Sequence, residues 1–296
     1  MHSADPQIWQ INRERVVRLD RPFLMGVLNV TPDSFSDGGR FDAVDAALTH
    51  ATRMVEEGAD ALDIGGESTR PGAQRVDAET QIARVMPVIK AIRGAGIGAP
   101  ITIDTTLSAV ATAALDAGAD AINDVAAGRE DAGMLKLAAD RGCGLVLMHR
   151  ERPPDADRYS DRYDSPPVEG SVTDRVASML ARRLGAAVEG GVAPEQVMLD
   201  PGLGFGKDVA QNMELIRETG RLLEIGRPVL SALSRKSFVG RVSLGRDSDP
   251  SERLEGTLGL SVAHLLGGAR CFRVHDVAAH RRALDAAWAA TGERAG

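Results

Sequence analysis

The sequence predicts an α/β fold: a single (βα)8 TIM barrel over residues 1–296, preceded within residues 1–20 by a short β-hairpin. Three observations predict it. Gly58-Ala59-Asp60-Ala61-Leu62-Asp63-Ile64 is repeated almost letter for letter as Gly118-Ala119-Asp120-Ala121-Ile122-Asn123-Asp124, with weaker echoes over 141–147 and 267–272. Each repeat closes a helix with a glycine, which adopts the left-handed conformation without a Cβ penalty, and then starts a short apolar strand. A recurring helix–glycine–strand unit marks parallel βα repeats. Second, eight such strands can be counted along the chain, which argues for a closed (βα)8 barrel, with an open doubly wound sheet as its main competitor. Third, 43% of the 296 residues are hydrophobic but only 3% aromatic, so the core must be Ala, Val, Leu and Ile. That suits helices packed closely on a parallel sheet, at an ordinary size for one barrel.

In chain order, Ile8–Arg18 alternates weakly around Asn12-Arg13 and reads as the hairpin. The first barrel strand is Phe23–Leu28. Asn29 then opens a loop to Gly39 that is too polar and too punctuated to pack a core. It concentrates Asn29, Thr31, Asp33, Ser34, Ser36 and Asp37, with Phe35 among them. Asp42 is expected to cap a helix with Val44, Ala47, Leu48, Ala51, Met54 and Val55 on one face, stopping at Gly58. The remaining strands are Ala61–Ile64, Ile101–Asp104, Ala121–Val125, Leu145–Met148, Val197–Leu199, Val229–Leu233 and Cys271–Val274. Pro87 is expected to kink or split the helix over 77–93. Residues 150–172 lack periodicity and read as a long loop, whereas Leu254–Leu266 reads as a helix before the last strand.

The net charge is −7 and no basic stripe with interleaved aromatics occurs, which argues against a nucleic-acid partner. An anionic substrate would have to be captured by local arginines. Cys143 and Cys271 lie in apolar runs and read as small buried hydrophobes. With no apolar signal region and no run of membrane-spanning length, a cytoplasmic protein without membrane contact is expected.

The chemistry collects where the strands end: Asn29, Asp63, Asp104, Asn123 and Asp124, His149, Asp200, Ser234-Arg235-Lys236, Arg273 and His275. In a barrel this C-terminal rim is where ligands bind. Asn29, Arg70, Arg273 and His275 suit a phosphate-like anion with a divalent metal, because magnesium needs few protein oxygens when phosphates supply the rest. Asp104, Asn123 and Asp200 suit a flat heterocycle that presents several N–H donors, and Lys236 can pair with Asp200 or bind a ring carbonyl. Asp104, followed by Thr105-Thr106, could instead cap the next helix, Asp200-Pro201 could be only a strand-ending turn, and His149 a satisfied histidine. His264 lies mid-helix and receives no role. Gly202-Leu203-Gly204-Phe205-Gly206-Lys207 fits neither a P-loop, since Asp208 follows the lysine, nor a dinucleotide fingerprint. Its glycines are read as letting the backbone approach a ligand, with Phe205 as an apolar wall.

These residues fall in blocks that resemble the dihydropteroate synthases from the first strand to the last helix. The blocks are MGVLNVTPDSFSDGG at 25–39, DIGGESTRPG at 63–72, ITIDT at 101–105, INDV at 122–125, LMH at 147–149, LDPGLGFGK at 199–207, SRKSF at 234–238 and FRVHDV at 272–277. The resemblance implies condensation of 6-hydroxymethyl-7,8-dihydropterin pyrophosphate with p-aminobenzoate, giving 7,8-dihydropteroate and pyrophosphate, with Mg2+ required. Asp104, Asn123, Asp200 and Lys236 would then hold the pterin. Asn29 would bind the metal, and Arg70, Arg273 and His275 the pyrophosphate. Thr69, Pro71, Phe205, Arg235 and Ser237, with Pro32, Asp33 and Phe35 from the first loop, would complete the substrate sites. The family also implies a homodimer packed through the last helices, with Leu258, Val262 and Leu266 as an apolar face. Two rival readings share the pterin set: a pterin-binding methyltransferase, which has no need of ESTRPG or SRKSF, and a paralogue that binds without catalysis. One departure stands out. Arg150-Glu151-Arg152-Pro153 follows His149, where the family more often has a methionine and a polar, glycine-containing stretch.

Overall fold

The computed structural model describes residues 7–31 and 40–292. The N-terminal hairpin is β1 (Ile8–Gln10) paired antiparallel with β2 (Val16–Arg18). The barrel strands are β3 (Phe23–Asn29), β4 (Ala61–Gly65), β5 (Ile101–Asp104), β6 (Ala121–Asp124), β7 (Gly144–Met148), β8 (Val197–Asp200), β9 (Leu230–Ser231) and β10 (Cys271–Val274). They form one eight-stranded sheet in the order β8-β7-β6-β5-β4-β3-β10-β9, and a parallel bridge from Leu199 to Val229 brings its two ends together. The seventh strand is therefore shorter than expected: Val229 makes only a bridge, and 232–233 leave the ladder.

The helices lie outside the sheet: α1 (Arg40–Glu56), α2 (Ala78–Gly94), α3 (Ser108–Asp116), α4 (Gly133–Arg141), α5 (Val172–Glu189), α6 (Val209–Arg217), α7 (Thr219–Leu223), α8 (Ser237–Leu244), α9 (Leu254–Leu266) and α10 (Val277–Thr291). Three expectations are corrected. α1 begins at Arg40, two residues ahead of the cap expected at Asp42. Pro87 does not split α2, which runs on to Gly94, so its missing N–H bond is tolerated within one element. The segment over 150–171 is not featureless, because it holds two 3-10 turns, Pro154–Ala156 and Ser160–Arg162.

The repeated text is repeated structure. Gly58 and Gly118 both take the left-handed conformation, with φ of 99° and 109°. The aspartate two residues on does the same job in each copy. Asp60 accepts the backbone N–H of Leu24 at 2.8 Å, and Asp120 that of Ile101 at 2.9 Å, each capping the foot of the preceding strand. Arginines hold both carboxylates, Arg21 and Arg281 on Asp60 and Arg93 on Asp120.

Strand side chains alternate between two cores with period two. Outward residues such as Leu62, Ile64, Ile103, Leu147 and Phe272 pack under the helices in the main core. Each fully buried side chain of this kind contributes about 1.5–3 kcal/mol. Inward residues near the strand starts, among them Met25, Ala61, Val146, Met198 and Leu230, form a second apolar cluster with Trp9, Ile11 and Leu19 from the hairpin segment. Trp9 closes that mouth: it is fully buried, meets Phe23 edge-on at 6.2 Å, and donates from Nε1 to the Gln196 carbonyl at 2.8 Å. The bottom of the barrel is thus plugged with hydrocarbon. A cavity of about 170 Å³ outside that plug, lined by Arg15, Val17, Arg18, Arg21, Phe23, Asp60 and Pro100, contains none of the rim residues.

Candidate active site

Continuing the inward parity toward the strand ends replaces hydrocarbon with polar groups. Asp63, Asp104, Asn123, Asp200 and Arg273 each stand two residues along from an inward residue of the apolar plug or, for Asp104, from inward-facing Thr102. Parity also separates two neighbours that the sequence alone could not. Asn123 faces in, whereas Asp124 folds back on its own loop, accepting the N–H groups of Ala126 at 2.8 Å and Gly128 at 2.5 Å. Sheet register then lines up Asn29, Gly65, Asp104 and Asn123 across β3 to β6. Gly65 keeps this row open, since a Cβ there would lie 3.4 Å from the Asp104 Cβ and 3.7 Å from the Asn29 Oδ1.

Arg273 reaches into the row from β10. Its Nε donates to Asp63 at 2.5 Å and its Nη2 to Asp104 at 2.8 Å. Asp63 is completely buried and also accepts from the Thr102 hydroxyl at 2.5 Å and from Asn123 Nδ2 at 3.2 Å. It therefore fixes both Arg273 and Asn123. Burial works against the Arg273 charge, but Asp63 and Asp104 more than compensate and raise its pKa. For Asp104 the balance goes the other way: burial, only partly offset by Arg273, lifts the carboxyl to about 7. Burial likewise raises Asp200, which accepts the Gly202 N–H at 2.7 Å. Two acceptors in this cluster, Asp104 Oδ1 and Asn123 Oδ1, are buried and have no hydrogen-bond partner. Adjacent acceptors of this kind suit a flat ring carrying N–H donors.

Lys236 lies on the far side, at the start of α8. Its ammonium donates to the Leu203 carbonyl and stands 4.2 Å over the Phe205 ring, a cation–π contact. Burial lowers its pKa to about 8, with Asp200 holding it up. The glycines of 202–206 serve a purpose other than the expected one. At Gly202 a Cβ would fall 1.7 Å from the His149 carbonyl oxygen, and at Gly204 2.7 Å from Lys236 Cδ. They admit neighbouring protein groups at close range. The fully buried Lys207 ties this loop from beneath, donating to the carbonyls of Gly202 at 2.9 Å and Phe205 at 3.0 Å. Its third contact is His149 Nδ1 at 3.1 Å, and burial together with Lys207 pushes that imidazole down to about 2. Phe205 packs with Val125 and Met148 in a small apolar cluster at the rim.

His275 is bonded through Nδ1 to the Ser234 hydroxyl at 3.0 Å, and burial followed by Arg273 lowers its pKa to about 3. It is a neutral imidazole here, so it offers a hydrogen bond rather than a charge. Arg235, at a left-handed φ of 58°, places both Nε and Nη2 on Asp276, so it braces its loop against the end of β10. Ser237 is buried at the start of α8, Thr69 and Pro71 are half-buried beyond β4, and Arg70 is exposed. Pro32, Asp33 and Phe35 lie outside the described residues. Asn29, half-buried at the end of β3, is the one expected metal ligand, and no group of three or more His, Cys, Asp or Glu side chains suited to a metal occurs among the described residues. A single amide oxygen beside an anion site fits magnesium held mainly by phosphate and water.

Sequence reasoning named most of this rim but missed the roles of Asp63, Ser234, Lys207 and Asp276. Asp63 had a signal, being the exact counterpart of Asn123 in the repeated text. Lys207 had a weaker one, as a lysine inside an otherwise apolar and glycine-rich block.

Comparison with known proteins agrees with this geometry. The model of the pterin binding enzyme family matches residues 25–275. A dihydropteroate synthase of Streptococcus pyogenes serotype M6 is 44% identical over 258 residues, covering 87% of this chain and 91% of that protein. The fold superposes on Xanthomonas albilineans dihydropteroate synthase with 4-aminobenzoic acid at a TM-score of 0.86 and 42% identity, covering 98% of this chain and 100% of that one. The same organism's enzyme in complex with 7,8-dihydropteroate gives a TM-score of 0.80 and 40% identity, over 95% of this chain and 97% of that one.

Proposed function

The chain belongs to the pterin-binding enzyme family, and from that premise we infer that it is a dihydropteroate synthase. It is a transferase that joins 6-hydroxymethyl-7,8-dihydropterin pyrophosphate to p-aminobenzoate, giving 7,8-dihydropteroate and pyrophosphate. The observation that carries the reading is the pair of buried, unpartnered acceptors, Asp104 Oδ1 and Asn123 Oδ1, in register on adjacent strands. They match the N–H edge of a pterin, with Asp200 and Lys236 completing the ring's hydrogen bonds.

In the reaction the bond between the pterin methylene carbon and the pyrophosphate oxygen breaks, and its electron pair leaves with pyrophosphate. We assign Arg70, Arg273 and the neutral His275 to the leaving group, where preorganised donors act on the charge as it develops. Asn29 would hold the magnesium, which supplies charge neutralisation on the pyrophosphate oxygens when bound. The carbon left behind is cationic and conjugated with the ring, so the carboxylates of Asp104 and Asp200 stabilise it by their field. The amine of p-aminobenzoate then attacks that carbon and loses a proton. An aromatic amine is already a competent nucleophile and needs no separate base to activate it. Thr69, Pro71, Phe205 and Ser237 line the pocket for this second substrate, Lys236 bridges the two sites, and Arg235 supports the loop that carries Lys236 and Ser237. Pro32, Asp33 and Phe35 of the first loop, outside the described residues, are assigned to the second substrate's binding. Deleting 32–37 should spare pterin binding and abolish turnover, and surviving turnover would refute a role for that loop.

We assign the 296 residues to one catalytic domain. We also assign a homodimer, packed through the α9 face on which Leu266 is 64% exposed. No helix among the described residues is long and apolar enough to cross a membrane, and we place the enzyme in the cytoplasm. The deciding experiment is pyrophosphate release from purified protein. Release that requires the pterin substrate, p-aminobenzoate and Mg2+ together supports the synthase. Pterin binding without release would identify a non-catalytic paralogue and refute it.

A further inference from the structure

The two walls assigned to p-aminobenzoate come from different loops: Thr69 and Pro71 follow β4, and Phe205 follows β8. One segment, residues 150–163 after β7, is bonded to both. On one side the Gly72 N–H, next to Pro71, donates to the Pro154 carbonyl at 2.8 Å. On the other the Gly206 N–H, next to Phe205, donates to Asp157 Oδ2 at 2.8 Å. Asp157 is only 7% exposed, and its Oδ1 accepts from the Tyr163 hydroxyl at 2.7 Å and the Arg158 N–H at 2.8 Å. The contact on the Phe205 side is tight, since a Cβ on Gly206 would fall 2.6 Å from the Glu151 Cβ. A second tie runs to the Thr69 side, where buried Arg150 pairs with Glu130 and Arg75 reaches the same carboxylate at 2.7 Å.

We propose that this segment is a brace fixing the distance between the two walls, and that Asp157 is the positioning residue at its centre, setting affinity and selectivity for the arylamine substrate. The proposal rests on the synthase reading. Asp157 makes no hydrogen bond to the pterin row or to the anion-binding groups, and its charge is a minor influence on Lys236, so its effect should fall mainly on the arylamine substrate.

The test is steady-state pyrophosphate release by the full-length enzyme with Mg2+, varying each substrate in turn. Asp157→Ala is expected to raise KM for p-aminobenzoate about tenfold, the size of one lost hydrogen bond to a charged acceptor. It should leave KM for the pterin substrate and kcat nearly unchanged, and should narrow the preference for p-aminobenzoate over ring-substituted analogues. Asp157→Asn keeps an oxygen for the Gly206 N–H and should restore the wild-type KM. Should Asp157→Ala not fold, Tyr163→Phe, which removes one support of the same carboxylate, is expected to raise that KM about threefold. An unchanged p-aminobenzoate KM in the folded variants, or an equal rise in both KM values, overturns the brace while leaving the synthase reading intact. A wild-type protein that releases no pyrophosphate overturns both.

Discussion

Replacing Asp104 by asparagine separates catalysis from folding, because the two should move in opposite directions. In the proposed reaction the Asp104 carboxylate faces the pterin, and a centre of opposite charge develops beside it. At a separation of about 4 Å and an effective dielectric near 20, a unit pair of charges is worth about 4 kcal/mol. The amide retains a hydrogen-bond acceptor but not the charge, so turnover should fall by about 10³-fold. Folding runs the other way. The Asp104 pKa stands at about 7, well above the 3.8 of a free aspartate, so the folded state binds the proton more tightly than the unfolded one. Stability associated with this group is therefore present at acid pH and lost as pH rises from 3.8 through 7, by about 4 kcal/mol across that window. Asparagine carries no such penalty, and Arg273 keeps its bond to Asp63. Near pH 8 the variant should unfold at the wild-type temperature or a few degrees above it. Pyrophosphate release and thermal unfolding, followed in parallel at pH 6 and pH 8, provide the assay. Turnover within threefold of wild type would refute the electrostatic role. A lost activity accompanied by a large fall in unfolding temperature would show that Asp104 is a structural group.

Further consequences concern pH, backbone and metal. The kcat/KM profile for the pterin substrate should be a narrow bell, rising as Asp104 ionises near 7 and falling as Lys236 deprotonates near 8; Lys236→Arg should extend the alkaline limb, and a flat profile would contradict both assignments. His264 is fully buried with a pKa lowered to about 4, so its stability contribution is present above pH 6.5 and lost as pH falls. The unfolding penalty of His264→Leu, measured in urea, should accordingly shrink by about 2 kcal/mol between pH 6.5 and pH 5, and a pH-independent penalty would exclude this titration. Gly202→Ala would place a Cβ 1.7 Å from the His149 carbonyl at a φ of 67°, and should cost more than about 4 kcal/mol, visible as insoluble or strongly destabilised protein. Chelating Mg2+ should abolish pyrophosphate release while leaving calorimetric binding of a pterin lacking the pyrophosphate unchanged.

The parts of this molecule that were legible in the sequence are those set by local periodicity. The helix-closing glycines at 58 and 118 and the two-residue alternation of Ala61-Leu62-Asp63-Ile64 place the strands and their polar ends within a residue or so. What was not legible depends on how the sheet closes on itself. Arg273 and Asp63 are 210 positions apart and meet only because β10 and β4 both flank β3. Their pairing turns a residue expected to wait for pyrophosphate into one already held by two carboxylates. Asn123 and Asp124 were indistinguishable as letters, because which of them faces inward depends on register. The glycines of 202–206 looked like a ligand cradle, but the groups that crowd them, His149 and Lys236, approach from other strands.

The placement of the unpartnered acceptors has a cost and a use. An unsatisfied buried acceptor destabilises the fold by about 1–3 kcal/mol, so Asp104 Oδ1 and Asn123 Oδ1 together lower stability by several kcal/mol. Nothing in the barrel requires this. Thr102, one inward position below Asp104, is satisfied by Asp63 and shows that the same strand can carry a fully bonded polar group. Both oxygens lie in the row whose donors, Arg273 and Asn123 Nδ2, are already bonded to Asp63. A ligand bringing N–H groups to that row removes the penalty as it binds, and gains affinity without having to order the site. In the proposed site Asp63 therefore contributes to recognition without touching the ring: it holds Arg273 Nε and Asn123 Nδ2, so those donors are not turned to Asp104 Oδ1 or Asn123 Oδ1.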